Sequence, residues 1–143
     1  MTLTPKSNKI EVRLEISHFD DISHDEISRR LGLQPSRIYI KGQPLSPLIS
    51  MRAKENRWLF NLYDAEQPRP IIEKQLDKLI RLVKANRSAF TSLCKTYTCG
   101  VFCIVTIYEN LNESTPAVYL EERHVRLLNT LSALFDVDIY VSV

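Results

Sequence analysis

Glycine is scarce in this chain: three residues in 143, at positions 32, 42 and 100. A loop that cradles phosphate needs several glycines close together, because backbone N–H groups must close on the anion. Three scattered glycines exclude a Walker loop and a dinucleotide fingerprint. Long apolar runs are missing as well. None approaches the roughly 18 residues of a membrane-spanning helix. The opening MTLTPKSNK has no apolar segment of the kind a signal peptide carries. An excess of one charge is also missing, since the net charge is only +2, too weak to point to nucleic acid. Cysteine is sparse, odd in number and clustered, at Cys94, Cys99 and Cys103. A secreted disulfide framework spreads an even set along the chain. The expectation is therefore a soluble cytoplasmic protein in which the cysteines pack as small apolar side chains.

What is present is an ordinary globular composition, 44% hydrophobic and 25% charged, enough for one core. Residues 1–8 read as a flexible tail and 9–143 as a single domain. Ile10, Val12, Leu14 and Ile16 alternate with Glu11, Arg13, Glu15 and Ser17, the period of a strand with one buried face. Ser23 and Glu26 have capping-box spacing, and Gly32 stands where a helix stops in a left-handed turn. A strand over 36–41 follows. The two prolines of GQPLSPLIS argue against any ladder there. RWLFNLY reads as a strand, with Trp58 as a core anchor.

A long helix should start near Pro70. Its apolar face is Ile72, Leu76, Leu79 and Val83, and a shorter helical piece follows ANRSAF. CGVFCIVTIYE is apolar on both faces and belongs in mid-sheet or under a partner. AVYL reads as a brief strand. The last helix carries Val125, Leu127, Leu128, Leu131 and Leu134 on its core side, and VDIYVSV closes the chain as a strand. The repeated strand–helix–strand order predicts an α+β fold. It should have a mixed sheet of about five or six strands, three helices on one face, and ferredoxin-like β-α-β units.

The segment DDISHDEISRRLGLQPSRIYIKGQP, the strand with Trp58, the leucine-patterned helix and the terminal LFDVDIYV resemble the family known as domain of unknown function 4279. That resemblance covers nearly the whole chain. It implies a small bacterial α/β protein and carries no catalytic residue across.

Several clusters invite a chemical reading. His18, Asp20, Asp21, His24, Asp25 and Glu26 crowd into one segment, but without the one-turn spacing of a helical metal pair. Turn and cap are the plainer roles. Cys99 and Cys103 would stand about 13 Å apart on one strand face, too far for one metal. Lys74, Lys78, Arg81, Lys84 and Arg87 are interrupted by acids and lack an aromatic platform, so they read as a solvated helix face.

No nucleophile elbow or Ser-His-Asp order is present. The expectation is a non-enzyme with no cofactor and no metal. It would bind a protein partner or itself, not nucleic acid or membrane. An immunity-type inhibitor that occludes a toxin is the most concrete version. The contact residues would be Arg52, Lys54 and Arg57 beside the apolar Leu48 and Ile49, with Phe102, Ile104 and Tyr108 on an open sheet face. A small-molecule-binding regulatory domain is the alternative.

Overall fold

A computed structural model of the chain describes residues 7–64, 66, 71–109 and 113–142. The strands are β1 (Lys9–Ser17), β2 (Arg37–Tyr39), β3 (Pro44–Ser46), β4 (Ile49–Arg52), β5 (Arg57–Asn61), β6 (Thr98–Tyr108) and β7 (Leu134–Ser142). The helices are α1 (His24–Leu31), α2 (Ile72–Ala85), α3 (Arg87–Thr96) and α4 (Glu122–Leu131). Five strands form one sheet in the order β2-β5-β1-β6-β7, and β3 pairs with β4 in a separate hairpin. β1 is antiparallel to both β5 and β6, β2 is antiparallel to β5, and β7 is parallel to β6.

It follows that β1 runs parallel to β2 with β5 between them, and β5 runs parallel to β6 with β1 between them. These two split β-α-β crossovers are the ferredoxin-like part of the fold. The β6-α4-β7 return adds a parallel edge. Among the described residues no helix is long and apolar enough to cross a membrane.

The alternation of β1 decides where the core lies. Ile10, Val12, Leu14 and Ile16 are buried on the same side as Ile27 and Leu31 of α1, Leu76 and Leu79 of α2, Phe90 and Leu93 of α3, and Leu127 and Leu131 of α4. All the helices therefore share one face. Among the described residues they number four rather than the three expected, because the chain breaks at Asn86 between α2 and α3. Trp58 is fully buried, and its Nε1 donates to Ser28 Oγ at 3.0 Å. Trp58 is a core anchor whose one side-chain polar atom is satisfied.

Gln75 is a buried polar residue with a specific task. β5 pairs with β1 only from Arg13 onward. That leaves the edge of β1 at Ile10 and Val12 facing α2. Val12 N–H donates to Gln75 Oε1 at 2.7 Å, and Gln75 Nε2 donates to Ile10 O at 2.8 Å. The side-chain amide continues the ladder where the strand has ended.

Five expectations are corrected. GQPLSPLIS does form a ladder, as β3 and β4, because Pro44 opens the strand and Pro47 occupies the turn, where a missing N–H is tolerated. AVYL is not a strand: residues 113–120 have no regular structure, and β6 itself leads into α4. Val125 and Leu134 are exposed, Leu134 because it belongs to β7 and faces away from the helices. Glu26 does not reach back to its cap. Ser23 Oγ accepts the Glu26 N–H, while the Glu26 carboxylate turns to Arg29 and Arg30, which hold its carboxyl down at about 2. Finally, Cys94 and Cys99 form a disulfide between the end of α3 and the start of β6. The helix-to-strand turn brings the two together, which spacing alone did not reveal. Pro70 and most of the expected tail lie outside the described residues.

Two outcomes are expected from this packing. Gln75→Ala leaves a buried N–H and a buried C=O unpaired, and should cost about 2–4 kcal/mol in urea denaturation; a loss below about 0.5 kcal/mol would contradict the bridging role. The disulfide closes a short loop, so reduction should cost only about 2 kcal/mol. Thiol titration should find one free cysteine per unfolded oxidised chain. It should find almost none in the native state, where burial pushes the Cys103 thiol up to about 11.

Candidate interaction surface

With every helix on one side, the other side of the sheet is open. β1 presents Glu11, Arg13, Glu15 and Ser17 there. The register places Arg57, Leu59 and Asn61 of β5 beside them on one flank, and Gly100, Phe102 and Ile104 of β6 on the other. Arg37 and Tyr39 of β2 extend the face at one edge, and Asp136, Asp138 and Tyr140 of β7 at the other. Gly100 has a steric reason to be glycine. A methyl group there would meet Phe102 Cε2 at 2.7 Å and Leu134 at 3.1 Å, because both side chains close over it.

The centre of this face is polar and tightly held. Glu15 is buried although it lies opposite the helices. Its Oε1 accepts from Arg57 Nε, and that hydrogen bond is the main reason the Arg57 guanidinium is raised above its ordinary value. The Arg57 guanidinium carbon also lies 5.1 Å from the centre of the Tyr39 ring, and that of Arg37 lies 4.9 Å from it. Arg57 is therefore a half-buried structural cation rather than a free contact residue.

The hairpin β3–β4 carries the remaining expected residues and is firmly rooted. Gly42, at φ 85°, turns the chain into it, and Gly42 N–H bonds to Ala53 O at 2.9 Å. Asn56 braces the base, accepting from Lys41 N–H and donating to Phe19 O, both at 2.8 Å. Arg37 donates to Leu45 O at 3.2 Å, tying the hairpin to β2. On this base Arg52 and Lys54 are exposed. Leu48, Ile49 and Met51 are 96%, 51% and 62% exposed. Phe102, Ile104 and Tyr108 are half-buried on the sheet face.

The segment 18–26 does not converge. His18 pairs with Glu55, and His24 Nε2 bonds to Tyr39 O at 2.9 Å. Asp20 lies 3.7 Å from Lys41, and Asp21 accepts from Tyr97 OH at 2.7 Å. Each side chain takes a different partner. Among the described residues no group of three or more His, Cys, Asp or Glu is placed to hold a metal.

Sequence reasoning missed one polar cluster, between α2 and α4. Glu121 N–H donates to His124 Nδ1 at 3.0 Å, so the ring proton sits on Nε2 and bonds to Asp77 Oδ1 at 2.9 Å. Arg123 grips the same carboxylate through Nε at 2.8 Å and reaches Glu73 at 2.7 Å. His124 is fully buried, and both its nitrogens are used. The signal was present as E-x-x-H at a helix start, a capping box with the usual residue types replaced.

Arg123 is the first reason, and His124 a lesser one, that the Asp77 carboxyl lies below its ordinary range. A depressed carboxylate contributes stability that is complete above its unfolded value and is lost as pH falls through the folded one. Thermal stability should therefore fall on acidification below the ordinary carboxylate range, and Asp77→Asn should flatten that dependence at a cost of about 1 kcal/mol at neutral pH. An unchanged acid limb in Asp77→Asn would contradict it. On the open face, Arg57→Glu sets a second carboxylate against the buried Glu15 and should cost roughly 2 kcal/mol or more. Arg52→Glu, on the exposed hairpin, should stay within about 0.5 kcal/mol. Equal losses in the two variants, read by urea denaturation, would refute the distinction.

No curated protein and no solved structure matches the chain. A family model does match, over residues 8–142. The matched span takes in the whole sheet and all the helices just described. The chain thus belongs to the family described as domain of unknown function (DUF4279).

Proposed function

We propose that this chain is a non-enzymatic binding module that docks a protein partner through the hairpin β3–β4 and the adjoining strip of open sheet. One observation supports this most: a rooted hairpin holds Leu48, Ile49 and Met51 out in solvent beside the cations Arg52 and Lys54. Solvent exposure of three large apolar side chains on one rigid element is unfavourable unless a partner covers them. The neighbouring cations favour a partner surface with an apolar centre and an acidic rim. An immunity-type inhibitor that covers a toxin is the most concrete form of this reading.

The test is affinity capture from the native cell, followed by binding measurements on two double variants. Leu48→Asp/Met51→Asp and Arg52→Glu/Lys54→Glu should each weaken binding of the captured partner about tenfold or more. Melting temperatures should stay within about 2 °C of the parent. Undiminished affinity in both variants would remove the hairpin from the interface.

A second observation favours a different reading. A cleft of about 370 Å³ lies beside α2, with Leu62, Lys74, Asp77, Lys78 and Arg81 in its lining, within the size range of small-molecule sites. A small-molecule-binding regulatory domain would raise its melting temperature in a metabolite panel dominated by anions. A flat response across that panel would count against this use of the cleft.

A further inference from the structure

The charges along the open face of β1 are only partly paired. Lys9 Nζ lies 3.4 Å from Glu11, and Glu15 is held by Arg57. Arg13 stands between these pairs on the central strand. Among the described residues it has no hydrogen bond or ion pair, and its Nε is sealed from solvent without an acceptor, just as the second oxygen of the nearby Glu15 carboxylate is sealed without a donor. A guanidinium carries five N–H donors and keeps its charge at any physiological pH. Partial removal from water without a partner is costly, and an anion would offset that cost.

Beside Arg13 the sheet face dips into a recess of about 90 Å³, lined by Glu11, Arg13, Asn61, Tyr63 and Ile104. The register explains the grouping, since Arg13 lies opposite Asn61 on β5 and opposite Phe102 on β6. Ile104 supplies an apolar wall. Asn61 and Tyr63 supply neutral hydrogen-bonding groups. Glu11 is the one acid in the lining, and Lys9 pairs with it, so Arg13 is the charged group of the lining that has no partner there. The volume admits a few heavy atoms and is too small for a nucleotide.

We propose that this recess is a carboxylate-binding subsite, in which Arg13 pairs with the anion and Asn61 and Tyr63 complete its hydrogen bonds. Arginine suits a carboxylate because its planar fork matches the two oxygens. The carboxylate has two possible sources: a free small organic acid, or an acidic side chain presented by a docked protein. The proposal goes beyond the hairpin reading and does not require it, since no hairpin residue lines the recess.

The sealed Nε of Arg13 makes a direct probe, because its proton is protected from solvent and should give an observable nitrogen–proton resonance. The ¹⁵N-labelled protein would be titrated with sodium acetate, with the capped peptide acetyl-Gly-Asp-Gly-amide, and with sodium chloride at matched ionic strength. A saturable shift of the Arg13 resonance with acetate or peptide, absent with chloride, is the expected result. Tighter saturation by acetate assigns the site to small acids, and tighter saturation by peptide assigns it to a protein side chain. Arg13→Gln should abolish the response at neighbouring amides, and Arg13→Lys should weaken it about tenfold. Equal, non-saturating shifts with all three salts, or no shift at all, would overturn the proposal. Because no partner protein enters the titration, the subsite and the hairpin interface can each fail without the other.

Discussion

The two-residue period of β1 is the constraint on which the rest of the structure depends. β1 is the central strand, hydrogen-bonded on both sides, and a slip of one residue would carry Glu11, Arg13 and Glu15 into the core. The alternation therefore fixes one face for apolar packing and one for polar contact. Four helices are drawn to the apolar face because each carries its own apolar stripe and has nowhere else to bury it. Gln75 secures the arrangement from the helix side, since its amide bonds the Val12 N–H and the Ile10 C=O of β1.

The sequence revealed what local physics controls. The alternation of β1, the Ser23 cap, the Gly32 stop and the apolar stripe of α2 follow from short-range patterns, and all are present. Features that depend on contacts between distant segments were not legible. Cys94 and Cys99 look like two unrelated apolar residues until a helix end and a strand start are brought together. Pro44 and Pro47 look like ladder breakers until one opens a strand and the other fills a two-residue turn. Arg57 reads as a free cation in a basic loop until Glu15, forty-two residues earlier, closes on it. The bond from His124 to Asp77 likewise spans two helices that share no local signal. Of the candidate contact residues, Phe102, Ile104 and Tyr108 fall on the open face; the alternation of β6 groups them together, and the pairing with β1 and β7 decides which face they take. Arg52 falls on a strand that the sequence did not predict, and Lys54 lies just past its end.

The division of labour between the faces shapes the functional reading. The helix side is consumed by the core, and its main polar cluster joins α2 to α4. The open side is different in kind. Its central strand carries paired charges, one unpaired arginine and a shallow recess, and its margin carries a hairpin with an apolar tip. The ionisable groups of segment 18–26 diverge, and both nitrogens of the buried histidine are engaged. Recognition by surface is the function we propose for this face.

The most direct measurement is hydrogen–deuterium exchange of the chain alone and in complex with its captured partner. Slowed exchange over 44–54, with α1 to α4 unchanged, is the result expected if the hairpin is the docking element. Slowed exchange confined to the helices, with the hairpin exchanging as freely as before, would contradict it.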